Sequence, residues 1–225
     1  MELKVLDSGS KGNCALLTDC YGNQLIIDCG VKYEKLAVEI NWEKPCSCII
    51  SHEHNDHYNT KTVSKINFFG IDVFTKDKMK SGKAFSSNGY NILPIELPHD
   101  KDCNSFAFLI FNCYEGKSIF FATDCTALPR IADKKFDLLM IENNYDQQTV
   151  FENKLSNSLK NLGYMRHLST EYVLQWLSKR TIKANNIVIT HLSNSGNIQG
   201  GRLCSLYKPY ADNVYIAKEN FTIEF

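Results

Sequence analysis

Three histidines and an aspartate lie close together in the stretch Ser-His-Glu-His-Asn-Asp-His at positions 51–57. The stretch directly follows an apolar run, so we expect it on the loop that leaves the carboxyl end of a buried strand. His52 and His54 are two residues apart and project to the same side of an extended backbone, whereas Asp56 and His57 can face a second position. Imidazole and carboxylate together are ligands of Zn, Fe, Mn or Ni. The spacing predicts a metal site, and a histidine-rich surface loop is the alternative.

Short apolar runs fill the first two thirds of the chain, rich in Ile, Val, Leu and Phe and bounded by Gly, Asn, Asp or Ser. The predicted strands are 3–6, 14–18, 24–28, 48–51, 106–111, 118–123, 138–142, 186–190 and 214–217. Helical patterns occur at 31–40, around 60–66, near 151–160 and at 170–180. Strand pairs interleaved with helices favour a layered α/β domain with mixed sheets.

The composition excludes several classes of protein. With 225 residues, 44% of them hydrophobic and 22% charged, the chain is typical of globular proteins, and we expect a single domain over residues 1–225. The 25 Lys and Arg balance the 25 Asp and Glu, which argues against binding of nucleic acid mainly through a strong basic field. Nine cysteines without C-x-x-C spacing, and the lack of an export signal, predict free thiols in the cytoplasm. No apolar run is long enough to span a membrane, so no membrane partner is expected.

The pattern H-x-H-x-D-H after a buried strand resembles the signature of the metallo-β-lactamase-fold hydrolases. Further motifs follow in the order typical of the YycJ/WalJ-like subgroup and cover most of the chain. They are the Gly- and Ser-rich opening loop at 7–13, L-I-I-D-C-G at 25–30, P-H-D at 98–100, A-T-D at 122–124, E-N-N-Y-D at 142–146, H-L-S at 167–169 and T-H-L-S with a later Asn at 190–197. The resemblance implies a four-layer αββα sandwich of two mixed β-sheets flanked by helices.

The resemblance also implies two divalent metal ions, Zn or Mn, held by seven side chains. One ion would be held by His52, His54 and His99, the other by Asp56, His57 and His191, with Asp124 bridging the two. A bound cation brings the pKa of water from about 15.7 to about 7 and so provides a nucleophile at neutral pH. The residues by themselves also allow roles other than metal binding. His99 could be a solvated loop histidine, Asp124 could cap a turn, and His191 could be a histidine of the core.

Supporting roles follow from the same resemblance. Asp28 would brace the histidine loop by hydrogen bonds, with a plain turn aspartate as the alternative. Asp56 would orient the attacking hydroxide and take its proton, and His167 would donate to a substrate phosphate or to the leaving group. A histidine that merely packs at a helix entry is the alternative for His167. Candidate substrate-binding residues are Ser10, Asn13, Arg166 and Asn197.

The implied activity is hydrolysis of phosphodiester bonds, in first place by an exonuclease that degrades single-stranded DNA through a metal-bound hydroxide. The zero net charge keeps two alternatives open: a phosphodiesterase for small or cyclic nucleotides, and a thioester or lactone hydrolase of the same fold. Lys76, Lys78, Lys80 and Lys83 could supply a local basic patch for a nucleic acid, and a solvated surface segment is the alternative. A third alternative is a metal-binding protein that has lost catalysis. Such a protein would be expected to lack one of the metal ligands, whereas all seven are present here. The oligomeric state, a homodimer included, stays open.

Overall fold

The computed structural model describes residues 1–101, 103–152, 166–193 and 196–225. The elements in chain order are β1 (Glu2–Asp7), β2 (Cys14–Thr18), β3 (Gln24–Ile27), α1 (Tyr33–Ala37), β4 (Cys46–Ile49), α2 (Thr60–Phe68), β5 (Asp72–Phe74), β6 (Phe85–Ser87), β7 (Tyr90–Pro98), β8 (Asn104–Asn112), β9 (Lys117–Ala122), β10 (Lys135–Glu142), α3 (Gln147–Glu152), α4 (Thr170–Lys179), β11 (Lys183–Thr190), α5 (Gly200–Tyr207), a 3₁₀ turn (Lys208–Tyr210), β12 (Ala211–Ile216) and β13 (Phe221–Glu224). None of the described helices is both long and apolar enough to cross a membrane.

The strands form two mixed sheets. The first has the order β13-β1-β2-β3-β4-β5, in which β3, β4 and β5 run parallel. The second has the order β12-β11-β10-β9-β8-β7-β6, in which β9 to β12 run parallel. The carboxyl ends of parallel strands share one edge of their sheet, which is where α/β proteins place their functional loops. Each sheet therefore offers one such edge.

The two sheets face each other across a shared apolar core, and helices cover their outer faces. Leu17 and Ile27 of the first sheet meet Phe108 and Phe121 of the second in that core. The outer face of the first sheet packs on α1 and α2. The outer face of the second sheet packs on α4 and α5, and Trp176 of α4 stacks on Phe120. The predicted four-layer αββα sandwich is confirmed. Strands buried on both faces explain why the sequence shows continuous apolar runs instead of alternation.

Each predicted strand is present, with ends shifted by at most three residues. The helix predicted over 31–40 is shorter than expected, because the helical backbone is confined to Tyr33–Ala37. Most of the helix predicted at 151–160 lies outside the described residues, and the described helix in this region is α3.

Four of the described strands and one described helix were not predicted: β5, β6, β7, β13 and α5. The longest of them, β7, contains Pro94 and Pro98, which count against a strand because proline lacks the N–H that a ladder requires. In the structure β6 pairs only with Tyr90, Asn91 and Ile92, so β7 has no described strand beside Pro94 on that side. Proline is tolerated there because the missing donor would have had no strand partner.

Candidate metal centre

The predicted ligands converge where the carboxyl ends of both sets of parallel strands meet. The histidine loop 51–57 leaves β4, and His99 follows β7. Asp124 lies two residues after the end of β9, His191 comes directly after β11, and Glu142 is the last residue of β10. Strand order alone therefore brings groups from five strands and both sheets to one place.

Three overlapping groups of donor atoms lie at this place, and within each group every atom is within 4.8 Å of the others. One of them consists of Asp124, Glu142, His167 and His191. Of the other two, the first comprises His52, His54, His99 and Asp124, and the second comprises Asp56, His57, Asp124 and His191. These are the two ligand sets of the sequence analysis, and they share Asp124. All seven side chains are therefore placed so that they could hold divalent metal.

The carboxylate of Asp124 faces both groups. Its Oδ2 lies 3.7 Å from Nε2 of His52 and 3.9 Å from Nε2 of His99. Its Oδ1 lies 3.6 Å from Nε2 of His57 and 3.5 Å from Nδ1 of His191. One oxygen is thus directed at each group, which is the arrangement that a bridging ligand needs.

Two buried imidazole nitrogens show that the donor set fits a cation. Nε2 of His52 and Nε2 of His191 are inaccessible to solvent, and neither has a hydrogen-bond partner in the part of the chain that is described. A buried polar atom without a partner is costly and rare in native proteins. A lone pair that points into a cluster of carboxylates and imidazoles is satisfied by a divalent metal ion, and nitrogen and oxygen ligands of this kind are those that Zn and similar metals take.

The electrostatics of the cluster favour an ionised Asp124. Burial disfavours the carboxylate, but the neighbouring His191 and His57 outweigh burial and hold the pKa of Asp124 well below its usual range. Conversely, burial lowers the pKa of both histidines, but the charge of Asp124 prevails and raises the pKa of His57 and of His191. Burial lowers the pKa of His52 to about 2, so this imidazole is a neutral donor at physiological pH.

Asp28 makes the contacts that a bracing role requires. Its Oδ2 accepts a hydrogen bond from Nδ1 of His57 at 2.7 Å and another from Oγ of Ser51 at 2.9 Å, while its Oδ1 accepts from the backbone N–H of Ser51 at 2.7 Å. These bonds fix the ring of His57 so that Nε2 faces Asp124.

The backbone around the site adopts unusual conformations. Asp28, Asp124 and His191 have φ values of 60°, 45° and 52°, in the left-handed region that non-glycine residues rarely enter. Such backbone costs energy and clusters at functional sites. Gly30 has a different constraint, because a Cβ at this position would lie 1.8 Å from the carbonyl oxygen of Asp56. Only glycine lets the two loops approach this closely.

Glu142 is a residue of the site that the sequence analysis did not assign. It is fully buried, and its Oε1 lies 2.5 Å from Nδ1 of His167 and 3.4 Å from Nδ1 of His191. Burial lowers the pKa of His167, but the carboxylate of Glu142 outweighs burial and raises that pKa. The signal in the sequence is its position: Glu142 ends a buried apolar run, just as Asp124 and His191 follow theirs.

Among the candidate substrate-binding residues, Arg166 lies at the mouth of the site. Its guanidinium is half exposed and lies 3.7 Å from the carboxylate of Asp100, and its carbonyl oxygen lies 3.2 Å from Nδ1 of His99. Asp100 in turn lies 3.5 Å from Nε2 of His54. The guanidinium is therefore close to the first ligand group while still reaching solvent.

The other three candidates occupy different environments. Asn13 lies 2.9 Å from Nε2 of His57 through its Nδ2, and the same amide donates to the carbonyl oxygen of Gly9. Ser10 is exposed in the same loop. The side chain of Asn197 exchanges hydrogen bonds with Asn143, the residue that follows β10. The structure brings Asn13 to the cluster and engages Asn197 within a loop, and binding of substrate by any of the three stays a prediction.

No protein-family model matches the sequence, and no curated protein matches it. Solved structures do share its fold over the whole chain. The metallo-beta-lactamase fold protein YhfI from Bacillus subtilis is 17% identical with a TM-score of 0.74, and the match covers 100% of this chain and 99% of that one. Zn-bound PqqB from Methylobacterium extorquens is 11% identical with a TM-score of 0.70, and the match covers 100% of both chains. The short form of human tRNase Z is 15% identical with a TM-score of 0.63, and the match covers 100% and 99%.

These likenesses establish that the chain has the metallo-β-lactamase fold. The fold predicted from the histidine motif is therefore confirmed, and the YycJ/WalJ-like subgroup stays a prediction.

Proposed function

We propose that the protein is a dinuclear metal-dependent phosphodiesterase, an exonuclease that acts on single-stranded DNA in the cytoplasm. The observation that carries this proposal is the carboxylate of Asp124, which directs one oxygen to each of two His and Asp donor groups. A mononuclear site would not need the two oxygens of one carboxylate to face separate sets of ligands. Two-metal sites of this kind catalyse hydrolysis in phosphatases and nucleases.

The seven residues of the two groups would hold the ions, Zn or Mn. When bound, such ions supply Lewis acidity, which neutralises charge on phosphoryl oxygens and makes water acidic enough to react at neutral pH. Zn-bound PqqB has this fold, which supports Zn as the first metal to test.

Asp56 is the proton acceptor of the proposal. Its carboxylate is a quarter exposed and lies 3.6 Å from Nε2 of both His57 and His191. Burial raises the pKa of Asp56, but His191 and His57 outweigh burial and lower it. The carboxylate is therefore ionised at neutral pH, borders solvent and can take the proton of an attacking water.

His167 is the proton donor. Glu142 holds it at Nδ1, no described residue hydrogen-bonds the other ring nitrogen, which can therefore reach a substrate oxygen, and its side chain is 19% exposed. The buried carboxylate raises the pKa of His167, so the imidazolium persists at a pH where an ordinary histidine is losing its proton. A protonated imidazole at the mouth of the site can protonate the leaving oxygen of a phosphodiester.

Two observations support a nucleic acid as the substrate. The guanidinium of Arg166 beside the first ligand group suits the fork-like recognition of a phosphate. Human tRNase Z, a ribonuclease by its name, shares the fold over the whole chain. Neither observation identifies DNA, so the polymer is the part of the proposal that the assay must test first.

The test is a side-by-side assay of the metal-reconstituted protein on 5′-labelled single-stranded DNA, cyclic nucleotides, bis-p-nitrophenyl phosphate and an acyl thioester. We expect shortening of the DNA from its 5′ end and hydrolysis of the aryl diester. Hydrolysis of cyclic nucleotides and the aryl diester but not of DNA would replace the exonuclease by a small-molecule phosphodiesterase. Hydrolysis of the thioester alone would indicate a thioester hydrolase instead of a phosphodiesterase.

A further inference from the structure

The loop of residues 75–84, which joins β5 to β6, contacts the histidine loop of the candidate metal centre. Nζ of Lys76 is 2.8 Å from Oε2 of Glu53. Glu53 stands between His52 and His54 in the sequence, so this ion pair ties the loop to the segment that carries two of the predicted ligands. The topology agrees, because β5 runs parallel to β4 and both strands end at the same edge.

The backbone of this loop is anchored at several points. Met79 is buried in the core between the sheets, and its N–H donates to the carbonyl oxygen of Thr75 at 3.0 Å. The N–H of Gly82 donates to the carbonyl oxygen of Pro94 at 2.9 Å, and Oγ of Ser81 accepts from the backbone of β7 at 2.9 Å. A loop held in this way presents its side chains from fixed positions.

The side chains that it presents are cationic and uncompensated. Lys78, Lys80 and Lys83 are all exposed, and within the described residues no carboxylate lies within 4.0 Å of their amino groups. The segment 75–84 contains four lysines and one acid, Asp77, a net charge of +3 in a chain whose net charge is zero. Positive charge is therefore concentrated in a loop whose first residues contact the histidine segment.

We propose that loop 75–84 binds the phosphates of a single-stranded nucleic acid next to the bond that is cleaved. This inference rests on the proposed function and extends it, because it assigns the polymer substrate to a surface outside the metal centre. Lysines on flexible stems bind phosphates as point charges without reading sequence, which suits an enzyme that moves along a strand. Lys76 is held by Glu53, so the three unpaired lysines would make the contacts.

The test compares the triple variant K78Q/K80Q/K83Q with the matched control K44Q/K134Q/K208Q. The control lysines are also exposed, and they precede β4, β10 and β12, at the edges opposite to the site. The first measurement is the Kd of the holoenzyme for a fluorescent single-stranded phosphorothioate oligonucleotide over a salt series. The second is hydrolysis of bis-p-nitrophenyl phosphate, which has only the phosphate that is cleaved and no neighbouring phosphate for the loop to bind. Thermal unfolding verifies that each variant folds.

We expect the loop variant to bind the oligonucleotide at least about tenfold more weakly than the wild type. Each lost phosphate contact lowers the slope of log Kd against log salt by about 0.7 for single strands, so three contacts lower it by about 2. Hydrolysis of the aryl diester should be unchanged in both variants, and the control should bind like the wild type.

Equal Kd values and equal salt slopes for the loop variant and the control would overturn the inference. So would a wild-type affinity for poly-L-glutamate that equals the affinity for DNA, because the loop would then suit an acidic protein. The proposed function fails separately: if the wild type cleaves no phosphodiester, but the loop variant still loses oligonucleotide binding, the surface is retained and the catalytic proposal is abandoned.

Discussion

Oε1 of Glu142 lies 2.5 Å from Nδ1 of His167, with the carboxylate fully buried and the imidazole open to the site. The charge that raises the pKa of His167 is thus kept away from solvent, so dissolved ions screen it only weakly. His191 also contacts this carboxylate, at 3.4 Å. Glu142 therefore connects the proposed proton donor with one of the predicted ligands.

Glu142→Gln should lower kcat for phosphodiester hydrolysis by about 10- to 100-fold, the range typical of residues that orient a catalytic group. The amide retains a hydrogen-bond acceptor but not the charge, so the pKa of His167 should fall. A reaction that needs the imidazolium then declines at lower pH, and the alkaline limb of the kcat profile should move to lower pH. The measurement is a pH–rate series.

The control for this series is Glu224→Gln, which removes an exposed carboxylate at the end of β13. A Glu142→Gln enzyme whose profile coincides with that of the control would contradict the role of Glu142.

Asp28→Asn should weaken the apparent affinity for Zn by about 10- to 100-fold. The carboxylate of Asp28 accepts three hydrogen bonds, from Ser51 Oγ, the Ser51 N–H and His57 Nδ1. An asparagine offers one carbonyl oxygen, so it cannot serve all three donors, and the ring of His57 loses its orientation. Competition with a chromophoric chelator measures the affinity. Asp72→Asn, an exposed change in β5, should bind Zn like the wild type, and an equal affinity for all three proteins would refute the bracing role.

Metal uptake should release protons at neutral pH. Without metal, the pKa values of His57 and His191 are raised, so both rings hold protons above the pH at which free histidine loses them. A metal ion must displace these protons, so its apparent affinity should fall as the pH decreases from about 8 to 6. His52, with a pKa of about 2, contributes none. Calorimetry in buffers of different ionisation enthalpy measures the release, and a buffer-independent enthalpy would show that no proton leaves.

Gly30→Ala should destabilise the fold by about 3 kcal/mol, because the added methyl group overlaps the carbonyl of Asp56 and neither backbone can yield easily. Urea unfolding measures the change. Gly201→Ala in α5 is the matched control. A Cβ at Gly201 has no neighbour within 4 Å, and alanine favours a helix over glycine by up to about 1 kcal/mol. Similar free energies of unfolding for the two variants would contradict the close approach of loops 28–30 and 51–57.

Most of the strands, and the metal ligands of the histidine loop at 51–57, could be predicted from the sequence because their signals are local. Apolar runs such as those of β3, β4, β9 and β11 are visible within a few neighbouring residues, and the spacing of His52, His54 and His57 lies within one loop. Strand β7 was missed because Pro94 obscures its pattern, and the tolerance for proline depends on where the paired strand ends.

The sequence by itself determined the cluster of histidines and aspartate at 51–57 and the apolar strand before it, because spacing and burial pattern are properties of adjacent residues, whereas His99, Asp124 and His191 follow only from the family resemblance. Only the tertiary structure decided which carboxylate oxygen faces which ligand group, that Glu142 lies under His167, and that loop 75–84 touches the segment between His52 and His54. These contacts join residues 23 to 72 positions apart, from Lys76 with Glu53 to Asp124 with His52. Such contacts arise from the order of strands in two sheets and from how the sheets face each other, which no local pattern encodes.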